Sequence, residues 1–435
     1  MKSSGVYYES FGCQMNAFDT EVIASIMAEE GYREVSSPDE ADIIIVNTCS
    51  VREHAERRAL GRLNDLSRHR DALLVVCGCM AQRMGKRLFE LVPSLAIVAG
   101  TDTYDRLPKI LAAARESGEQ IALLDRDDTV TYAMRRIEHT GPCSRYLSIT
   151  RGCANYCTYC IVPYLRGEVR SKDPSNVVAT VQKMTASGTR EVTLLGQNVM
   201  AYRFGDTDFP SLLGRVLNET GILRLRFLTS HPRDLTDRIF HLMADDERLC
   251  PHIHLPVQAG SNRILGLMGR GYSREHYIDI VARAREIVPG LAVTTDIIVG
   301  FPTETDAEFR ETIDLVERVG FDAAFTFKYS PREGTAAAGM KDDVGPEEKR
   351  RRLRILNETI ENARRDTLSE QLGTETEILL DGRVQKGEYE FWKGRTPHFR
   401  NVLVNGKRHE VGDIVPVRLK SMLNFTFIGE EPIRR

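Results

Sequence analysis

The sequence lacks long hydrophobic segments and an excess of charge of either sign. Its 435 residues include one Trp and carry a formal net charge of −3. No apolar stretch approaches the roughly 20 residues that a membrane-spanning helix needs. A chain this close to neutral is not basic throughout, so any contact with a nucleic acid must come from local patches. Met1–Tyr8 contain no apolar signal segment, which predicts a cytoplasmic protein.

Cysteine is also scarce, with 9 residues in the chain. In a long chain with no secretion signal, a few cysteines indicate metal ligands and buried thiols rather than a disulfide framework. Hydrophobic residues make up 42% and charged residues 28% of the sequence, which is typical of a soluble globular protein. At this length, two or three domains are expected.

Three of the cysteines are concentrated in one short segment, RGCANYCTYC. Cys153, Cys157 and Cys160 are separated by three and then two residues, so one loop can place three thiolates on three irons of a [4Fe–4S] cluster. The fourth iron would then have no protein ligand, and an open position on a metal permits chemistry there. A structural zinc site is the alternative, but it needs four ligands, and no further Cys or His follows closely.

The first third of the chain alternates short apolar segments with helical patterns, which predicts an open parallel α/β sheet. The predicted strands are Gly5–Glu9, Asp42–Val46, Leu73–Cys77 and Leu95–Ala99. Cys13, Cys49 and Cys79 each follow one of the first three strands. Because ligands bind beyond the carboxyl ends of parallel strands, these thiols are expected to meet at one edge of the sheet. Buried cysteines are also common in cores, and Cys77 is interpreted as one of those.

Residues 146–330 repeat a strand and a helix about six times, which predicts a partial (β/α)6 barrel with its active site at the carboxyl ends of the strands. The predicted strands are Tyr146–Thr150, Glu191–Leu195, Arg224–Ser230, His252–Gln258, Val293–Gly300 and Ala324–Tyr329. The three-cysteine segment follows the first of these strands and therefore lies at that end. Candidate cofactor-binding residues follow other strands: Gly196, Gln197, Ser230 and Gln258. Each is equally well interpreted as an ordinary turn residue.

From Thr374 onward, five short strands predict a small OB-like β barrel. These strands are Thr376–Leu380, Tyr389–Lys393, Asn401–Val404, Ile414–Lys420 and Thr426–Gly429. Between Asp381 and Lys420, 9 Lys or Arg residues oppose 5 Asp or Glu residues, a net charge of +4, and aromatic residues lie among them. Basic groups contact phosphates and aromatic rings stack on bases, so this module is expected to bind RNA. An ordinary barrel core is the alternative, and it is favoured for Trp392.

The three-cysteine segment resembles the cluster loop of radical S-adenosylmethionine (SAM) enzymes, with Tyr159 in the aromatic position. The resemblance implies that Cys153, Cys157 and Cys160 bind a [4Fe–4S] cluster whose open iron chelates SAM. The reduced cluster would cleave SAM to a 5′-deoxyadenosyl radical, so the chemistry belongs to the clusters and no protein acid or base is assigned. Many radical SAM enzymes have Gly-Gly-Glu where this chain has Gly-Gln-Asn, which leaves the role of Gln197 open.

The motifs FGCQMN, VNTCS and CGCMAQ of the first third resemble the methylthiotransferase family of radical SAM enzymes. This resemblance implies a second, auxiliary [4Fe–4S] cluster on Cys13, Cys49 and Cys79. It covers nearly the whole chain and implies an N-terminal domain at residues 1–125, a radical SAM core at 139–367 and a TRAM RNA-binding domain at 368–432. The segment GRTPHFR of the last domain looks like the stretch that faces tRNA. The candidate RNA contacts are therefore Arg395, Phe399 and Arg400.

The resemblance implies insertion of sulfur and a methyl group at C2 of N6-isopentenyladenosine beside the tRNA anticodon, giving 2-methylthio-N6-isopentenyladenosine. The implied partners are SAM, the tRNA anticodon stem-loop, an electron donor and a sulfur donor, the last two unidentified. A monomer with no membrane association is expected. The alternatives are methylthiolation of a ribosomal-protein aspartate, methylthiolation of N6-threonylcarbamoyladenosine in tRNA, and a non-catalytic Fe–S protein that binds RNA. Two triads that each leave an iron open do not suit the non-catalytic role.

Overall fold

The structure, a computed structural model, describes residues 4–50, 53–132, 134, 142–406 and 408–432, without the side chains of residues 53 and 54. It shows a parallel-sheet domain, a partial barrel and a small closed barrel in the predicted order. The expected start of the second domain, residue 139, lies outside the described residues.

The N-terminal domain is a six-stranded parallel sheet in the order β2-β1-β3-β4-β5-β6. Its strands are β1 (Gly5–Ser10), β2 (Arg33–Glu34), β3 (Ile43–Thr48), β4 (Leu73–Gly78), β5 (Leu95–Ala99) and β6 (Ile121–Leu123). Its helices are α1 (Gln14–Glu29), α2 (Glu53–Leu66), α3 (Cys79–Met84), α4 (Arg87–Leu91) and α5 (Leu107–Ser117), with short 3-10 turns at Pro38–Glu40 and Tyr104–Arg106. The four predicted strands are confirmed. The two edge strands were not predicted, because two or three residues are too few to form a recognisable pattern.

Strand β3, with the sequence IIIVNT, is buried along its whole length. Ile43 and Ile45 pack in one hydrophobic core, whereas Ile44 and Val46 pack in a second core on the opposite face of the sheet. A continuous apolar run of this kind is typical of a parallel strand that helices cover on both faces. Polar residues can therefore lie in the loops that follow the carboxyl ends of the strands.

The central domain contains six parallel strands arranged as two groups, β7-β10-β13 and β14-β15-β16. Its strands are β7 (Ser144–Ser148), β8 (Thr150–Arg151), β9 (Arg170–Ser171), β10 (Glu191–Leu195), β11 (Arg203–Phe204), β12 (Thr207–Asp208), β13 (Arg224–Phe227), β14 (His252–His254), β15 (Ala292–Val299) and β16 (Ala323–Lys328). A bridge between Leu225 and Leu249 and a hydrogen bond from Ser230 N to His254 O at 3.3 Å join the two groups. Within the described ranges, β7 and β16 do not pair, so the partial barrel is confirmed.

Helices surround this domain and lead to the next. They are α6 (Val162–Arg166), α7 (Pro174–Ala186), α8 (Phe209–Glu219), α9 (Asp237–Asp245), α10 (Asn262–Leu267), α11 (Arg274–Ile287), α12 (Asp306–Val319) and α13 (Pro346–Ser369), with 3-10 turns at Val199–Ala201, Pro232–Asp234 and Ala336–Gly339. The charged helix α13 connects the barrel to the C-terminal domain. Not all of its charged side chains are exposed to solvent, because Arg352 is buried and pairs with Glu304 at 2.7 Å.

The C-terminal domain is a closed five-stranded barrel in the order β17-β18-β19-β21-β20. Its strands are β17 (Glu375–Lys386), β18 (Tyr389–Arg395), β19 (Asn401–Val404), β20 (Ile414–Leu423) and β21 (Thr426–Glu430). All five predicted strands are confirmed. Trp392 is buried in the core of this barrel beside Ile378, which confirms its interpretation as a core residue.

The C-terminal barrel packs against the amino ends of the central strands. Arg224 and Arg226, on β13, donate to the backbone oxygens of Arg395 and Thr396 at 2.7 and 2.8 Å. The C-terminal barrel therefore lies at the end of the central domain opposite the three-cysteine segment. Among the helices that the structure describes, none is both long and apolar enough to span a bilayer.

Candidate active site

The three-cysteine segment forms a tight loop between β8 and α6. Cys153 and Cys157 are buried and Cys160 is half-buried. The loop closes on itself, since the amide of Cys160 donates to Cys157 O at 2.9 Å. Gly152 has a φ of +80°, and a Cβ at this position would lie 1.9 Å from the backbone oxygen of Glu168. Only glycine allows the chain to enter the loop at this point.

Hydrogen bonds attach the loop to the barrel. Thr158 donates through its amide to Met268 O at 3.0 Å and through its hydroxyl to Leu267 O at 2.8 Å. The side-chain oxygen of Gln197 accepts from the amide of Gly152 at 2.6 Å. Gln197 was predicted to bind a cofactor, and in the structure its oxygen holds the cysteine loop at the end of β10.

Arg270 is buried beside the loop, and the sequence analysis did not find it. Its guanidinium donates to Cys157 Sγ at 3.3 Å, to the Tyr159 hydroxyl at 3.5 Å and to Pro256 O at 2.9 Å. Arg270 therefore places a fixed positive charge against the sulfur of Cys157. No sequence signal connects it to the cysteines, because more than 100 residues separate Arg270 from Cys157.

Burial disfavours the thiolate form of Cys153 and Cys160. It raises the pKa of Cys153, and it raises the pKa of Cys160 to about 12. A thiol in this environment becomes a thiolate when a cation binds to it, since coordination removes the proton.

The remaining predicted cofactor residues lie at the carboxyl ends of the strands around this loop. A Cβ on Gly196 would lie 2.0 Å from the Thr150 hydroxyl oxygen, so this position excludes a side chain. Gln258 adopts a left-handed φ of +74°, as does Thr229 at +65°. Strained backbone of this kind in residues other than glycine is characteristic of functional sites.

Three buried polar atoms at the same end have no hydrogen-bond partner among the described residues. They are the hydroxyl oxygens of Thr150 and Ser230 and Nε2 of His231. Buried polar atoms are normally paired, and these atoms suit a polar ligand bound at the mouth of the barrel. Burial, with a further contribution from Arg270, lowers the pKa of His231 to about 3, so its imidazole is neutral.

The three N-terminal cysteines meet beyond the carboxyl ends of β1, β3 and β4. Cys13 directly precedes α1, Cys49 follows β3, and Cys79 is the first residue of α3. Asn16 joins two of the loops, because its side chain accepts from the Cys13 amide at 3.5 Å and donates to Thr48 O at 3.2 Å.

Neighbouring groups change the pKa values of these cysteines. A hydrogen bond with Cys49 is the main cause that lowers the pKa of Cys13 to about 6, and the positive charge of Arg166 contributes. Burial raises the pKa of Cys79, although Arg166 opposes this effect. Cys13 is exposed whereas Cys49 and Cys79 are buried, so the triad opens to solvent on one side.

The structure brings the two triads together through a buried ionic network. Arg166, at the end of the helix that follows the cysteine loop, donates to Cys79 Sγ at 3.3 Å and to Asp19 at 2.8 Å. Asp19 also accepts from Arg151 at 2.7 Å, and Arg151 lies two residues before Cys153. No sequence pattern indicates this network, because its members come from distant segments of the chain.

The other cysteines lie apart from both triads. Cys77 is fully buried in strand β4, which confirms that it is a core residue. The thiol of Cys143 lies 3.5 Å from Leu380 O, at the contact with the C-terminal barrel. The thiol of Cys250 lies 3.9 Å from Arg248 O.

The three predicted RNA contacts lie at the interface between the central domain and the C-terminal barrel. Arg400 pairs with Asp322 at 2.7 Å and is largely buried. Phe399 stacks on His252 with ring centroids 4.9 Å apart. Arg395 is the most accessible of the three, with 27% of its side chain exposed, and pairs with Asp381 at 3.2 Å. These contacts occupy the three side chains within the protein, and their binding to RNA stays a prediction.

The two cysteine triads fit an Fe–S cluster better than a single metal ion. No group of three or more His, Cys, Asp or Glu among the described residues is arranged to hold one metal ion. In an Fe–S cluster each thiolate binds a different iron, so the thiols surround a cube and do not converge on one point. Each set here has three thiols and an adjacent guanidinium, which matches a cluster with one iron left open.

Comparisons with known proteins agree with this arrangement. Residues 5–100 match the model described as uncharacterized protein family UPF0004, and residues 147–316 match the radical SAM superfamily. The tRNA-2-methylthio-N(6)-dimethylallyladenosine synthase of Geobacillus kaustophilus is 41% identical over 434 residues, 98% of this chain and 81% of that protein. The protein of the same name from Parabacteroides distasonis is 41% identical over 436 residues, 98% of this chain and 95% of that protein.

Solved structures show the same fold at lower identity. The radical SAM methyltransferase TsrM from Kitasatospora setae, with cobalamin and a [4Fe-4S] cluster bound, has a TM-score of 0.56 at 14% identity and covers 77% of each chain. The cobalamin-dependent SAM radical enzyme OxsB has a TM-score of 0.52 at 13% identity and covers 83% of this chain and 56% of that one.

The family and superfamily assignments settle the class of protein. Radical SAM enzymes use SAM and [4Fe–4S] clusters, and the sequence-based prediction of these cofactors is confirmed. Within this superfamily, the chain is 41% identical over 98% of its length to each of the two synthases described above. This chain is a radical SAM enzyme that belongs to the family of tRNA-2-methylthio-N(6)-dimethylallyladenosine synthases.

Proposed function

We propose that this enzyme converts N6-isopentenyladenosine beside the tRNA anticodon into the 2-methylthio derivative. The reaction inserts sulfur at C2 of the adenine and adds a methyl group to that sulfur, with SAM as a substrate. The observation that carries the proposal is the pairing of two three-cysteine sets in one molecule, joined through Arg166 and Asp19. The names of relatives that match nearly the whole chain support it.

The proposed ligands are Cys153, Cys157 and Cys160 for one cluster and Cys13, Cys49 and Cys79 for the auxiliary cluster. When bound, the first cluster would supply the electron for radical chemistry on SAM, and the auxiliary cluster would carry the sulfur to be inserted.

The surrounding residues position these groups. Gln197 holds the first cysteine loop through the Gly152 amide, and Arg270 places a positive charge against Cys157. The buried hydroxyls of Thr150 and Ser230 are proposed to donate to SAM. Tyr159 and Gln258 are further proposed contacts of SAM. His231 stays neutral and takes no proton in the proposed reaction.

The RNA substrate must present a single adenine to this site. A base in a hairpin loop is unstacked at lower cost than one in a duplex, so the anticodon loop is a suitable substrate. Arg395 remains the proposed RNA contact of the C-terminal barrel, since part of its side chain reaches solvent. We place the enzyme in the cytoplasm with its tRNA, and an electron donor and a sulfur donor complete the set of partners.

Nucleoside mass spectrometry tests the proposal. The reconstituted enzyme is incubated with SAM, a chemical reductant and tRNA that carries N6-isopentenyladenosine, and the digested tRNA is analysed. The expected product is 2-methylthio-N6-isopentenyladenosine. The control tRNAs carry unmodified adenosine or N6-threonylcarbamoyladenosine and should give no product. Methylthiolation of the threonylcarbamoyl tRNA alone would replace the proposed substrate.

Variants of the two triads separate their roles. Cys157→Ala should abolish both SAM cleavage and the methylthio product. Cys49→Ala should retain SAM cleavage to 5′-deoxyadenosine and lose sulfur insertion. A Cys49→Ala enzyme that still makes the full product would refute the role of the auxiliary cluster.

A further inference from the structure

Arg166 connects the segment after the cysteine loop to an N-terminal cysteine through a side-chain hydrogen bond. It lies at the end of α6, six residues after Cys160, and its side chain is 3% exposed. Its Nε donates to Cys79 Sγ at 3.3 Å, and one terminal nitrogen donates to Asp19 at 2.8 Å. The other terminal nitrogen is buried and has no partner among the described residues.

The charges around Arg166 leave an excess of positive charge next to the N-terminal triad. The buried guanidinium groups of Arg151, Arg166 and Arg170 face the two buried carboxylates of Asp19 and Asp102. The three cations and two anions leave one positive charge uncompensated by this network. Removing a charged group from water costs several kcal/mol unless a partner of opposite charge is present. Anionic thiolates in the triad would provide that partner.

Packing fixes the position of Arg166 relative to both triads. Cys79 packs against Ile161, which directly precedes α6, and against Leu165 within α6. The backbone oxygen of Leu165 accepts from the Thr101 hydroxyl at 3.1 Å. The helix that follows the cysteine loop is therefore held against the N-terminal sheet, and its arginine has a fixed direction.

We infer that Arg166 is a positioning residue for the auxiliary cluster, which it holds at a fixed place relative to the first cysteine loop and whose reduction potential it raises. A hydrogen bond to a ligating sulfur and a nearby positive charge both favour the reduced cluster, which carries one more electron. The buried nitrogen without a partner gives the guanidinium a second donor toward the cluster. The inference rests on the proposed function, since it takes Cys79 as a cluster ligand.

The test uses the full-length protein with only the auxiliary cluster. Replacement of Cys153, Cys157 and Cys160 by Ala gives a parent protein that should bind about four irons. Into this parent we introduce Arg166→Gln, which removes the charge, and Arg166→Lys, which keeps the charge but lacks Nε. Arg170→Gln is the matched control, because it removes a neighbouring buried charge without touching a sulfur. Iron content and the midpoint potential from EPR-monitored redox titration are measured for each protein.

The expected result is a lower potential in Arg166→Gln. At a fixed applied potential the ratio of reduced to oxidised cluster should fall by about tenfold, which corresponds to about 59 mV for a one-electron couple. Arg166→Lys should show a smaller shift, and Arg170→Gln the smallest. A midpoint potential in Arg166→Gln equal to that of the parent overturns the inference.

Loss of iron is also informative. Iron lost from both Arg166 variants and retained in Arg170→Gln supports the positioning role, since Arg166 contacts Cys79 Sγ and Arg170 contacts no sulfur of the described residues. Iron lost alike from all three variants overturns it, because the arginines would then serve folding alone. A separate Cys79→Ala variant of the parent tests the proposed function. If it keeps about four irons, the ligand assignment fails independently of any result on Arg166.

Discussion

At the residue scale, two glycines allow the N-terminal cysteines to meet. A Cβ on Gly12 would lie 2.5 Å from Cys49 Cβ, and a Cβ on Gly78 would lie 2.3 Å from Asn47 Oδ1. Both glycines have positive φ, so a side chain is disfavoured by the backbone as well as by the space. The positions of Cys13, Cys49 and Cys79 after three predicted strands indicated that these thiols meet here. These positions did not predict Arg166 or Arg270, because a single buried arginine has no local pattern.

Gly78→Ala should disrupt the N-terminal triad and leave the other one intact. The new methyl group collides with backbone and side-chain atoms at the end of β3. Reconstituted protein should therefore fall from about eight irons per chain to about four. Gly31→Ala is the control, since Gly31 also has positive φ but a Cβ added there would meet no atom within 4 Å, and this variant should keep about eight irons. Full iron binding by Gly78→Ala would show that the loops need not approach this closely.

His231 should make the stability of the protein depend on pH in the mildly acidic range. Its folded pKa of about 3 lies below the ordinary value of about 6.5, so the unfolded chain takes up a proton first as the pH falls. Stability is therefore unaffected above about pH 6.5 and decreases as the pH drops toward 3, by about 2 kcal/mol at pH 5.

His231→Asn should reduce this dependence, because Asn can still accept from the Arg233 amide as His231 Nδ1 does at 3.3 Å. The measurement is the thermal midpoint of metal-free protein at pH 7 and pH 5. The exposed His241, replaced by Asn, is the control and should behave as the wild type. Equal pH dependence in wild type and His231→Asn would contradict the assignment.

At the element scale, periodicity predicted the central strands and their order. Several strands of the N-terminal sheet, such as β5 with the sequence LAIVA, are continuous apolar runs, and the central domain repeats a short strand and a helix. Pattern could not show how elements from different domains pack. The segment of residues 394–400 looked like an RNA-facing loop, yet its backbone oxygens accept from Arg224 and Arg226 of the central domain. Inter-domain contacts depend on pairs of distant residues that periodicity does not record.

Arg400→Ala should weaken the attachment of the C-terminal barrel. The change leaves Asp322 largely buried without its cation, and loss of one partner of a buried pair costs about 3–5 kcal/mol. The expected results are a lower thermal midpoint and faster proteolysis near residue 370. Arg418→Ala removes an exposed pair with Glu375 and should cost less than about 1 kcal/mol. Weaker tRNA binding by Arg400→Ala with unchanged stability would instead favour the predicted RNA contact.

At the scale of the whole molecule, the three domains place two cysteine triads on one side and the C-terminal barrel on the other. The N-terminal sheet and the cysteine loop share the buried Asp19, which accepts from both Arg151 and Arg166. A sequence can predict that both triads exist, since each has its own motif. Their adjacency depends on the packing of α3 against α6 and on the pair between Asp19 and Arg166, which only the structure reveals.

The central claim is that two separate triads hold two clusters in one chain. The most direct measurement is iron and sulfide per chain after anaerobic reconstitution, in the wild type and in a variant with Cys153, Cys157 and Cys160 replaced by Ala. The account predicts about eight irons in the wild type and about four in the variant. About four irons in the wild type and none in the variant would contradict it, and Cys13, Cys49 and Cys79 would then have no part in metal binding.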